Sequence, residues 1–167
     1  NQSNAYLWLA VLLQAKGEQE AALQVYDQGE EVNPMWDFLL KNKIMALVNM
    51  NNKEAAVALQ QKMIEKAAND NPLQRKRYAE LSRLHWSFND KTEAVAAAKK
   101  SGDISLIKFY TDGDYSFLQK RVDDHYNDLD QRSEYISQLW MGLDYAHAGA
   151  RDKALDCFNN AIALKEA

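Results

Sequence analysis

The sequence predicts an all-α protein built as a stack of about five helical hairpins, the fourth of them shortened. Three observations carry that reading. Apolar residues recur at three- and four-residue spacing along most of the chain, which marks one face of a helix at a time. Six Gly and two Pro in 167 residues leave long stretches unbroken, which suits helices and argues against a many-stranded sheet. The breaks that do occur are regular. Aligned on Gly17, Asn51, Asn89, Gly113 and Gly149, the turns stand 34, 38, 24 and 36 residues apart by subtraction of their numbers.

The first hairpin is read over about residues 4–34. Tyr6, Leu9, Ala10 and Leu13 share one helical face, with Asn4 as a candidate cap. Gly17 ends that helix, and Ala21, Ala22, Val25, Tyr26 and Gly29 face inward from the returning one. Asn33-Pro34 stops it, because proline disfavours a helical residue before it. The second hairpin, 36–68, carries Leu40, Ile44 and Leu47 before the Asn51-Asn52 turn, and Ala56, Leu59, Met63 and Ala67 after it. Asn69 to Pro72 is a strong loop signal. The third, 72–101, places Tyr78, Leu81, Ser82 and His85 before Asn89-Asp90, and Ala94, Val95, Ala97 and Ala98 after it. The fourth, 103–129, has a short apolar helix with Ile104, Leu106, Ile107 and Phe109. It then turns at Asp112-Gly113-Asp114 and aligns Leu118, Val122 and His125. The fifth, 131–166, is the clearest. Gly142 and Tyr145 on one helix face Ala154, Phe158 and Ala161 on the other, and the small residues let the two approach closely.

A hairpin of this length buries one face only against a neighbour. Burying a Leu or Phe contributes roughly 1.5–3 kcal/mol, which leaves a lone hairpin short of its own ordering entropy. About three or more must therefore stack. The whole chain, 1–167, is expected to form a single repeat domain. It starts at Asn1 without a Met and is read as part of a longer protein.

Paired helices with a period near 34 resemble the tetratricopeptide repeat. In the first unit Tyr6, Leu9, Ala10, Gly17, Ala22, Tyr26, Gly29 and Pro34 fall on that family's consensus places, and in the last Gly142, Tyr145, Gly149, Ala154, Phe158 and Ala161 do. The second unit keeps Leu40, Leu47 and Ala56 but has Gln60 where an aromatic is usual. The third keeps Tyr78 and Ala94 but departs at Ser82, His85 and Ala98. The resemblance implies a right-handed α–α superhelix, a solenoid whose concave side is lined by the first helix of each hairpin. The stretch Ser101 to Lys120, followed by the Tyr145–Leu155 unit, also resembles the C-terminal repeat regions of some bacterial winged-helix transcriptional regulators. The winged helix itself would then lie upstream.

By the family's geometry the concave positions are Leu7, Val11 and Gln14 in the first unit, then Phe38, Lys41, Asn42, Met45 and Asn49 in the second. The third adds Lys76, Arg83 and Trp86, and the last adds Trp140, Leu143 and His147. Aromatic and Arg side chains supply contact area and forked hydrogen bonds, so a protein or an extended or helical peptide is the expected partner. The simpler reading of Trp86 and Trp140 is packing between units. One subtype of the family clamps a terminal carboxylate with Lys, Asn and Arg. Asn42 and Lys76 match it, but Leu7, Val11 and Glu80 stand where a carboxylate would lose its charge-assisted bonds, so that subtype is not expected. Arg75-Lys76-Arg77 reads as a solvated helix start. Asp123-Asp124-His125 and Asp128-Leu129-Asp130 read as a solvated acidic face, since adjacent helical residues do not converge on an ion.

No motif for chemistry is present: no HExxH, phosphate loop, G-x-S-x-G or CxxC. His85, His125 and His147 are far apart, and Cys157 reads as a buried, inert thiol. No enzymatic activity, cofactor or metal is expected. A formal net charge of −4 disfavours general nucleic-acid binding. The longest apolar run, Ala5 to Leu13, is nine residues, too short to span a bilayer. A single Cys excludes an internal disulfide and fits a reducing compartment. A cytoplasmic location is expected, with a periplasmic domain of a membrane-anchored bacterial protein as the alternative. The leading function is a non-enzymatic protein-interaction module. Two others stay open: a sensor domain of a larger bacterial signalling or transcriptional regulator, and a homo-oligomeric adaptor driven by apolar surface on the last helix.

Overall fold

The computed structural model describes residues 2–34, 36–127, 135–147 and 149–166. They form ten α-helices, and among the described residues there is no strand. The helices are α1 (Gln2–Ala15), α2 (Gln19–Val32), α3 (Asp37–Asn49), α4 (Lys53–Lys66), α5 (Asn71–Ser87), α6 (Lys91–Ser101), α7 (Ile104–Asp112), α8 (Ser116–Asn127), α9 (Tyr135–His147) and α10 (Arg151–Glu166). Consecutive helices pair as five hairpins, and α7, at nine residues, is the shortest helix described. The chain divides into two compact units, Asn1–Gly102 with three hairpins and Asp103–Ala167 with two.

Four of the five aligned turns share one backbone solution. Gly17, Asn51, Asn89 and Gly149 all take positive φ, between 55° and 84°. The amide after each bonds back across the helix end: Glu18 to Leu13 O at 2.9 Å, Asn52 to Leu47 O at 2.8 Å, Asp90 to His85 O at 2.9 Å and Ala150 to Tyr145 O at 2.8 Å. This bond satisfies carbonyls that the helix leaves orphaned, and only Gly or Asn enters the left-handed region cheaply. Gly113 differs from the other four. It closes α7 with the simpler bond to Phe109 O at 3.0 Å, and the chain runs on through Asp114 and Tyr115 before α8 begins. The side chains of Asn52, Asp70, Asp90 and Asp103 cap the helices that follow them. Asn4 does not cap, because α1 already starts at Gln2.

In the first unit one core runs through all three hairpins, from Leu7, Ala10, Ala22 and Tyr26 to Leu81, Leu84 and Ala97. Ala10 and Ala22 are fully buried, as close helix packing requires. Leu9, by contrast, has the spacing of the inner face but is 49% exposed, while Leu7 is buried. The nine-residue apolar run has more large side chains than one face can hold, so spacing alone picks the wrong member. In the second unit Tyr126, Met141, Tyr145, Ala154 and Cys157 form the core around α8, α9 and α10. Here Tyr126 turns inward, while His125, expected to align with Leu118 and Val122, is exposed, as is Ile104. A side chain at Gly142 would overlap the Phe158 ring, which explains the small residue at that crossing.

Candidate protein-binding surface

The first helices of the hairpins in the first unit present equivalent positions side by side in register. Counted back from their turns, Phe38 on α3 matches Lys76 on α5, and Met45 matches Arg83. Phe38 and Met45 are each 57% exposed, and Lys76 and Arg83 are exposed too. Asn49 is exposed, while Asn42 is half-buried and donates from Nδ2 to Phe38 O at 2.8 Å. Trp86 is half-buried, with the Lys91 ammonium 5.7 Å from its ring centroid. The face therefore sets apolar side chains on one helix beside cations on the next.

Other expected positions are used internally. Leu7 is 2% exposed and belongs to the core, not to a free surface. Val11 is half-buried against that core. Gln14 accepts the Tyr26 hydroxyl at 2.5 Å. Lys41 lies 2.9 Å from Glu80 and 3.3 Å from Asp37.

Beneath this face lies an ionic cluster that sequence reasoning missed. The basic run around Arg77 has the composition of a solvated helix start, but the Arg77 side chain is only 7% exposed. It pairs with Glu80 at 2.7 Å and with Asp37, and so ties α5 to the start of α3. Gln60 on α4 donates to Arg77 O at 3.0 Å. Arg75, though exposed, donates from Nε to Ser101 O at 2.9 Å. Of the three basic residues, Arg75 and Lys76 are exposed as expected, and only Arg77 is buried. A signal was present in the sequence: Arg77 and Glu80 stand three apart on one helix, and Arg77 falls at the register position of Leu39, a core residue.

Burial opposes ionisation of Glu80, but the hydrogen bonds and charges of Arg77 and Lys41 outweigh it and hold its carboxyl below the usual 4.5. Burial likewise opposes the charge on Glu30, and Lys43 and Lys62 outweigh it there. A carboxyl with a lowered folded pKa contributes stability that is fully present above its unfolded pKa. That stability is lost as pH falls through the folded value. Thermal melts should therefore show the protein losing stability as pH falls below about 4.5, and Glu80→Gln should flatten that slope. An unchanged slope in the variant would remove Glu80 from the acid response.

In the second unit Trp140 is 60% exposed and Leu143 is on the surface, both on α9. His147 closes α9, but its side chain lies outside the described residues. Asp123 accepts the Tyr145 hydroxyl at 2.8 Å and the Lys153 ammonium at 2.8 Å. These two bonds, Lys153 first, hold its pKa low. The carboxylate is thus engaged within the unit. Asp128, Leu129 and Asp130 lie outside the described residues. Among the described residues no group of three His, Cys, Asp or Glu side chains is placed to hold a metal ion. Cys157 is buried, and burial together with Asp156 pushes its thiol pKa up, which suits an inert core residue. Among the described residues no helix is long and apolar enough to cross a membrane.

Residues 3–34 match the tetratricopeptide repeat family. That match covers the α1–α2 hairpin, and the α3–α4 and α5–α6 hairpins reproduce its turn in backbone and hydrogen bonding, with Asn51 and Asn89 in place of Gly17. Solved structures similar to the whole chain include three of the protein MamA. One, from Desulfovibrio magneticus RS-1, is 13% identical, with 98% of this chain and 76% of that chain covered and a TM-score of 0.46. A second is 16% identical over 98% of this chain and 92% of that one, with a TM-score of 0.49. A third is 20% identical over 94% of each, with a TM-score of 0.45. No curated protein matches the chain.

Proposed function

We propose that the face shared by α3 and α5 binds a partner protein through a short segment that carries both apolar and acidic side chains. The observation that supports this reading is the exposure of Phe38 and Met45 directly in register with Lys76 and Arg83. Large apolar side chains held on a rigid helix give contact area at little entropic cost, and an adjacent Arg adds a forked hydrogen bond to a carboxylate. The cluster below stiffens the platform, since Arg77 and Lys41 link α3 and α5 without using the outward side chains. No chemical step is involved.

Selection of a displayed random-peptide library against the 167-residue chain tests the proposal. Enriched peptides should combine acidic and apolar residues. Phe38→Ala with Met45→Ala should weaken their binding by about tenfold or more, and Arg83→Glu by a similar factor. Binding that both variants leave intact would place the partner elsewhere on the chain.

A further inference from the structure

Within the first unit, the face shared by α3 and α5 continues onto α1, which packs against α3. Trp8 stands nine residues before the Gly17 turn, the register position of Asn42 on α3 and Glu80 on α5. Asn42 still reaches the surface although α3 has a hairpin on either side. That column therefore stays open inside the stack, and Trp8, 59% exposed, fills its place on α1 with an aromatic ring. Leu9 and Leu12 are exposed as well, but they match Lys43, which pairs with α2, and Ala46, which is buried. They belong to another side of α1.

The three helices differ in charge in a fixed order. α1 carries no charged residue along its fourteen positions. Both cations of α3 are neutralised inside the unit, Lys41 by Glu80 and Asp37, and Lys43 by Glu30 and Asp27. On α5, Lys76 and Arg83 are exposed, and among the described residues neither has an ionic partner. The face thus runs from an aromatic on α1, through apolar side chains and the amides of Asn42 and Asn49 on α3, to unneutralised positive charge on α5.

We infer that the bound segment is extended and crosses α1, α3 and α5 in that order, with an apolar end on Trp8 and an acidic end on Lys76 and Arg83. This rests on the binding face proposed above and adds its third helix and its direction. The reverse direction sets a carboxylate on an uncharged helix, where it gains no charge-assisted bond in return for its desolvation. An extended backbone has unpaired amides for Asn42 and Asn49 to meet, whereas a helix has already paired its own. Neighbouring helix axes lie about 8–10 Å apart, so the two seams span ~18 Å. An extended chain at about 3.3 Å per residue covers that in roughly six residues.

The test uses the peptides enriched by the selection described above, labelled with fluorescein and titrated with the whole chain by fluorescence polarisation. Enriched sequences should hold an aromatic or aliphatic residue and an Asp or Glu about five to seven positions apart. Trp8→Ala should weaken them about tenfold, with unchanged circular dichroism because the ring lies on the surface. Trp8→Gln should behave alike. A double-mutant cycle then gives the direction. The effect of Trp8→Ala should largely vanish for a peptide whose apolar end is cut to Ala, and persist for one whose acidic residue is replaced by Lys. Arg83→Glu should show the opposite coupling, with the Lys-bearing peptide recovering most of the lost affinity. Peptides that need Phe38 and Met45 but bind Trp8→Ala as tightly as the parent would overturn the inference and leave the α3–α5 face standing. Coupling of Trp8 to the acidic end would overturn it too, since the direction would be reversed. Peptides indifferent to Phe38 and Met45 would remove the face itself, and the inference with it.

Discussion

Replacing Tyr26 with Ala should destabilise the first unit by about 3–5 kcal/mol, the cost of deleting a buried aromatic ring from a core that cannot collapse around the cavity. Tyr26 is fully buried in α2, and its neighbours leave little room to relax, because Ala10, Ala22 and Leu39 are fully buried as well. Its hydroxyl donates to Gln14 Oε1 at 2.5 Å, which ties α2 to α1 near their turn. Burial pushes the phenol pKa up to about 12, so it remains a neutral donor at any ordinary pH. Tyr26→Phe keeps the ring and loses only that bond, and it should cost about 1 kcal/mol, with some of the penalty falling on Gln14 left without its partner. Urea unfolding followed by circular dichroism separates the two variants. A Tyr26→Ala cost near that of Tyr26→Phe would mean that the ring is not a keystone of the α1–α2 packing.

Tyr26 was legible in the sequence because it obeys a simple rule: large and apolar, at helical spacing from Ala22 and Gly29, next to a regular turn. The same rule found Leu40, Ile44, Ala56, Ala94, Tyr145 and Ala161, all buried. The turns were legible too, because positive φ leaves a chemical mark, and Gly or Asn stands at each of them. Periodicity failed where a helix offers too many candidates. On α1 it chose Leu9 over Leu7, and on α8 it chose His125 over Tyr126. In each case neighbouring residues compete for the inner side, and the winner is decided by the helix packed opposite, which local spacing does not encode. The candidate binding face was legible for Phe38, Met45, Lys76 and Arg83, which are exposed as their helical positions imply. It was not legible for Gln14 and Lys41, whose partners Tyr26 and Glu80 come from other helices. Side-chain pairing across helices depends on register between segments, and composition carries no trace of it.

Arg77 is the extreme case, and its replacement should be the second large effect. A charged residue in α5, next to Arg75 and Lys76, has every mark of a solvated side chain, yet it is buried and paired with Asp37 and Glu80, while its own carbonyl accepts from Gln60. Burial opposes the guanidinium charge, and Glu80 and Asp37 outweigh it. Truncation to Met should therefore cost about 2–4 kcal/mol. Breaking a buried pair leaves Glu80 desolvated without its main partner, and the figure sits toward the low end because Lys41 remains beside it. The carboxylate is the source of that loss, so removing it should return most of the stability. Arg77→Met with Glu80→Leu should fall within about 1.5 kcal/mol of the parent, because apolar residues can fill the site without a desolvation penalty. Asp37 and Lys41, both partly exposed, can then be solvated. A double variant as unstable as the sum of the two single variants would show that Arg77 acts through packing of its aliphatic stem and not through charge. The distinction bears on the proposed binding face, which rests on α3 and α5 being held in register. If charge holds them, low pH should loosen the face and weaken peptide binding along with stability; if packing holds them, binding should persist until the unit unfolds.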